Sequence, residues 1–147
     1  MTPAIPPAIR RFVFERAAGI CGYCLIHHDD AYHSHHVDHV VSRKHGGLTK
    51  VENLALACFR CNVSKGSDIG SLLEPPRQFV PLFDPRRQRW SDHFFLHKII
   101  IEPISDTGAV TVNLLDLNSV IRCSARQTLA SFGRYPSIEA LARIREA

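Results

Sequence analysis

Four of the five cysteines stand as two C-x-x-C pairs, Cys21-Gly-Tyr-Cys24 and Cys58-Phe-Arg-Cys61, with 33 residues between them. A tight turn brings positions i and i+3 together, so each pair can set two sulfurs on one ion and two pairs complete a tetrahedral thiolate site. Zn(II) suits soft thiolates. Four protein ligands leave it no open position, so its expected role is structural, clamping the two ends of the intervening loop. A loop histidine could replace one cysteine as ligand. A redox pair is the other chemistry open to C-x-x-C, but neither pair sits in a βαβ frame. Cys123, isolated in a helical stripe, reads as a small buried apolar residue.

Seven of the nine histidines fall between His27 and His45. His27, His28, His33 and His35 lie in a polar stretch and read as solvated loop residues. Asp38-His39 differs, because a carboxylate beside a histidine on a short strand can serve a hard cation and a general base together. Neutral imidazole takes a proton from water near pH 7. Consecutive residues of a regular strand point to opposite faces, so the strand must bend or end at this pair. Asn62 and Lys65 are three apart and share a face of any helix they occupy. Asn53 and Asn62 could also serve as caps of a turn or helix.

The elements around these residues follow from the pattern. Ile9, Phe12, Val13, Ala17 and Ile20 predict a helix over about 7–18, stopped near Gly19. After a loop, HHVDHVVS predicts a short strand, SRKHGGLTK a turn, ENLALACFRC a second strand, and residues 60–65 the first turns of a helix. Four prolines punctuate the stretch from Leu72 to Pro85, so residues 71–98 predict an extended arm over the surface. Ile99, Ile100 and Ile101 predict one more strand, and the tail two or three helices. Residues 1–70 thus form an N-terminal helix plus core, and 71–147 an arm and helical extension packed with it.

The chain has 147 residues, 45% of them hydrophobic and 22% charged, enough for one core and unlike a disordered or fibrous sequence. No apolar run approaches a membrane span. The proline-rich start lacks the layout of a secretory signal, so the expected compartment is the cytoplasm, where an odd cysteine count argues for thiolate ligands over disulfides. Net charge is +4, concentrated in residues 36–66 and 77–98, each carrying +3. A polyanion is a plausible partner. Arg86, Arg87 and Arg89 beside Trp90 suit a nucleic-acid backbone, the alternative being a solvated arm with Trp90 packed on the core.

VDHVVSRKHGG followed by ENLALACFRCNVSKG resembles the zinc-bearing HNH endonuclease pattern, D-H, then N, then C-x-x-C-N-x-x-K-G, over about residues 21–66. VPLFDPRRQRWSDHF is similar to the segment after the nuclease core in some bacterial, notably cyanobacterial, members. The resemblance implies an α+β fold, a ββα-metal, treble-clef-like finger. It assigns His39 as general base, and Asp38 and Asn62 as ligands of a catalytic Mg(II) or Mn(II). Asn53 would tie the loop and orient the histidine, and Lys65 would hold a phosphate. Arg43, Lys44, Arg60 and the arm arginines would meet the DNA backbone, with RNA also open. The implied reaction hydrolyses a DNA phosphodiester to a 5′-phosphate and a 3′-hydroxyl. Two departures stand out: Val40-Val41-Ser42 lacks the proline that often follows the histidine, and the loop before Asp38 is rich in histidine. The rival reading is a non-catalytic zinc-clamped module that binds nucleic acid or protein. The C-terminal helices could recruit a protein partner.

Overall fold

The computed structural model describes residues 4–145. Helix α1 spans Pro7–Arg16, begun by a proline whose missing N–H costs nothing in the first turn. It ends two residues before the expected stop because Ala18 and Gly19 both turn to positive φ. Strand β1 (His36–His39) pairs antiparallel with β2 (Leu54–Ala57), placing His36 opposite Ala57, Asp38 opposite Ala55 and His39 opposite Leu54. Helix α2 (Phe59–Lys65) follows directly, and the Cys58 sulfur caps its N-terminus by accepting from the Cys61 amide. The expected order of strand, loop, strand and helix is therefore the one observed. It is a small α+β unit built around the four cysteines.

The arm is more regular than expected. Strands β3 (Gly70–Leu73) and β4 (Gln78–Pro81) form a hairpin, and β5 (Phe94–His97) and β6 (Ile100–Pro103) form another. The prolines permit this because Pro75 and Pro76 lie in the connecting turn and Pro81 at a strand end, positions where no ladder donor is lost within the strand. Three helices complete the chain: α3 (Asp106–Leu114), α4 (Val120–Ser131) and α5 (Ile138–Ile144). Each starts on a serine, Ser105, Ser119 or Ser137, whose hydroxyl accepts a first-turn amide.

One core joins the two halves of the chain. Cys21, Tyr23, Cys24, Leu25, Cys58 and Cys61 pack in a single buried cluster with Phe83, Trp90, Phe94, Ile101, Leu115, Leu117, Tyr135 and Ala140. Trp90 donates its indole N–H to the Tyr23 carbonyl at 2.9 Å, and Tyr135 its hydroxyl to the Cys24 carbonyl at 2.8 Å. Trp90 is thus a core residue, the alternative the sequence left open. A smaller cluster of Ile5, Val13, Leu54 and Leu56 seats α1 on β2. Among the described residues, no helix is long and apolar enough to cross a membrane.

Candidate active site

The two cysteine pairs meet. The sulfurs of Cys21, Cys24, Cys58 and Cys61 all lie within 4.8 Å of one another, and all four residues are buried. Zn–S bonds of about 2.3 Å in a tetrahedron require sulfurs about 3.8 Å apart. Cys24 and Cys58 sulfurs stand 3.6 Å apart, so the cage fits Zn(II). The Tyr23 and Cys61 amides donate to the Cys21 and Cys58 sulfurs. Hydrogen bonds from Cys21, Cys58 and Cys61 hold the Cys24 thiol well below its ordinary range, while hydrogen bonds with Cys21 and Cys24, reinforced by burial, push Cys58 up. Four buried sulfurs cannot all ionise unaided, and a dication is what lets them. Among the described residues this is the one group of three or more His, Cys, Asp and Glu side chains gathered tightly enough for a single ion, so no loop histidine enters the cage.

On β1 the strand alternation separates Asp38 from His39. Asp38 points inward and is only 6% exposed. Its carboxylate lies 3.1 Å from the Lys65 ammonium and accepts from the Tyr23 hydroxyl at 3.4 Å. Burial raises its pKa above the ordinary value, although Lys65 and Tyr23 counteract it. Lys65 is itself 1% exposed and also donates to the His39 carbonyl at 2.9 Å. The expectation that Lys65 meets a phosphate is therefore corrected: its ammonium is enclosed by Asp38 and the strand backbone. Asn62 does not cap α2, since Cys58 does. It lies one turn before Lys65 and is half-buried.

His39 lies on the other face of β1, partly open to solvent, with Nε2 2.9 Å from the Thr49 hydroxyl. Arg43 donates to the same hydroxyl at 3.1 Å. Burial, then Arg43 and Lys65, lowers the His39 pKa below its ordinary value and favours the neutral ring. Asn53 ties the loop that carries these groups: its Oδ1 accepts from the Val41 amide and its Nδ2 donates to the Val41 and Leu48 carbonyls, all at 2.9 Å. The loop closes so tightly that a Cβ on Gly47 would lie 1.6 Å from the Val41 oxygen, which accounts for a glycine there.

The model of the HNH endonuclease family matches residues 21–68. Residues 21–68 form an HNH domain. No curated protein and no solved structure matches the chain. At the level of the family, the HNH domain supports nuclease activity on nucleic acid. Its zinc cage holds the two ends of the matched segment together. Arg43, Lys44 and Arg60 of the domain are exposed, as are Arg86, Arg87 and Arg89 on the arm beyond it. Two residues important to the HNH domain carried no signal in the sequence. Thr49 belongs to no spaced motif, and Arg122, which donates to the Cys61 sulfur at 2.8 Å, reaches the cage from α4.

Proposed function

We propose that this protein is a metal-dependent HNH endonuclease that hydrolyses DNA phosphodiester bonds with His39 as general base. The observation that carries the reading is the His39 ring, held by Thr49 and biased toward its neutral form within a matched HNH segment. In the tautomer that donates Nε2–H to Thr49, the lone pair lies on Nδ1, where it could accept the proton of an attacking water. The water oxygen bonds to phosphorus, the bond from phosphorus to the 3′-oxygen breaks, and that oxygen gains a proton from solvent. The products are a 5′-phosphate and a 3′-hydroxyl.

Asp38 and Asn62 would hold a Mg(II) or Mn(II) ion. Both offer hard oxygen donors, they stand on facing elements, and a carboxylate has about four acceptor sites, of which Lys65 and Tyr23 leave some free. Such an ion would stabilise charge on phosphate oxygens, and to share a phosphate with His39 the Asp38 carboxylate must leave Lys65 and reach round the end of β1. Arg43, Lys44 and Arg60 supply a basic rim for the backbone. A zinc-clamped binding module without catalysis is the second reading, favoured by the burial of Asp38 against Lys65.

Supercoiled plasmid incubated with wild type and His39→Ala, each with Mg(II), Mn(II) or a chelator, tests the proposal. Metal-dependent nicking should fall by about 10²-fold or more in the variant, the order a general base contributes, with melting and zinc content unchanged. Equal cleavage by the variant rejects His39 as the base. Absence of cleavage by folded, zinc-loaded wild type shifts the reading to the binding module.

A further inference from the structure

Away from His39, five arginines line one cleft of about 360 Å3: Arg16 at the end of α1, Arg86, Arg87 and Arg89 on the arm, and Arg143 on α5. They converge from three separate parts of the chain. None of the residues that line the cleft is acidic. Two acids form ion pairs with its arginines, Asp84 3.9 Å from Arg87 and Asp92 3.2 Å from Arg89. Five guanidinium groups sharing so small a space repel one another, and arginine does not relieve that by losing its proton. Burial and then Arg86 lower the Arg16 pKa, with Glu52 opposing them, so the crowding reaches Arg16.

The cleft is built, not incidental. Arg16 is fixed by donating to the Val51 and Leu54 carbonyls at 3.0 and 2.5 Å, and Arg143 donates to the Ala17 carbonyl at 3.3 Å. The arm is pressed against the first cysteine knuckle, where a Cβ on Gly22 would lie 2.9 Å from Pro85. Phe83 and Trp90 line the cleft but are 2% exposed, so neither offers an open ring face to a base. What remains is charge in planar forks, the geometry that matches phosphate. The exposed forks of Arg86, Arg87 and Arg89 by themselves carry more donors than the oxygens of one phosphate accept, which points to more than one phosphate along a backbone. Leu54, whose carbonyl holds Arg16, is the cross-strand partner of His39.

We propose that this cleft is a phosphate-binding subsite that holds nucleic-acid backbone away from the His39 side chain, positioning the strand without reading its sequence. The choice of ligand rests on the nuclease reading, and the test therefore measures binding separately from cutting. Zinc-loaded full-length wild type, Arg86→Gln/Arg87→Gln and Arg77→Gln are titrated against a labelled DNA duplex, without added Mg(II) or Mn(II), over about 50 to 200 mM salt. Arg77 is exposed, paired with Glu74 and outside the cleft. The double variant should bind about tenfold more weakly at the low-salt end and show a salt slope reduced by about 2, with unchanged melting, while Arg77→Gln behaves as wild type.

Equal affinity and slope in the double variant overturn the subsite, as does a wild type that binds no DNA. Stabilisation of the wild type by inorganic phosphate or pyrophosphate that disappears in the double variant, with DNA binding untouched, also overturns it and assigns the cleft to a free anion. A wild type that shows the expected salt dependence but cuts no plasmid supports the subsite and removes the nuclease reading. A wild type that cuts, with a slope the double variant does not change, removes the subsite alone.

Discussion

As the proposed general base, His39 would owe its chemistry to its neighbours. A histidine is useful as a base only when unprotonated, and its folded pKa lies below 6.5 because burial, Arg43 and Lys65 all penalise the charged ring. The acid limb of kcat/KM should therefore lie at lower pH than an ordinary imidazole would give, the activity rising with pH. Arg43→Gln removes one of the repelling charges, so the His39 pKa should rise and the limb move to higher pH, read from a pH profile of plasmid nicking. Arg43→Lys keeps the charge and should leave the limb near its wild-type place. The cysteine cage was legible because its chemistry is written in local spacing. Thr49 was not, since a threonine ten residues from a histidine carries no pattern until a loop closes on it.

Between elements, the Asp38–Lys65 pair joins β1 to α2 through the interior. Removing one partner of a buried pair leaves the other uncompensated, at a cost of about 3–5 kcal/mol. Lys65→Met should lower the melting temperature strongly at pH 7. The sign with pH follows from Asp38, whose pKa is raised by burial and would rise further without the ammonium. A carboxyl with a raised folded pKa destabilises the fold above that pKa, and the penalty lessens as pH falls through it toward the unfolded value. The deficit of Lys65→Met should thus shrink on acidification, and Asp38→Asn/Lys65→Met should recover much of it, both read from thermal melts across pH. The β1–β2–α2 order was legible from alternation, turn residues and the second cysteine pair. The lysine was misjudged because helix periodicity gives the face a residue shares but not which side of that face is closed over. The arm hairpins were missed because prolines were counted without asking whether they fall in the turns.

Across the whole molecule, the zinc cage is held from both sides. Arg122 of α4 donates to the Cys61 sulfur and, through its other nitrogen, to the Leu115 carbonyl at 2.7 Å. Burial opposes its charge, but the sulfurs of Cys61, Cys24 and Cys58 hold its pKa above the ordinary range. Outer-shell donors of this kind typically contribute 10- to 100-fold to metal affinity. Arg122→Gln should weaken zinc binding by about that factor, measured by competition with a chromophoric chelator, with a smaller loss for Arg122→Lys. Nothing local announces this contact, because the arginine lies 61 positions beyond the cysteine it serves. It makes the tail part of the metal centre instead of an appendage to it.

The single tryptophan of the chain is buried and bonded to the carbonyl of Tyr23, inside the first C-x-x-C turn. Any event that opens that turn must wet the indole and break its hydrogen bond. The chain should accordingly carry its own optical gauge: emission from Trp90 should be blue while the knuckle is closed and shift red when it opens, with no label attached.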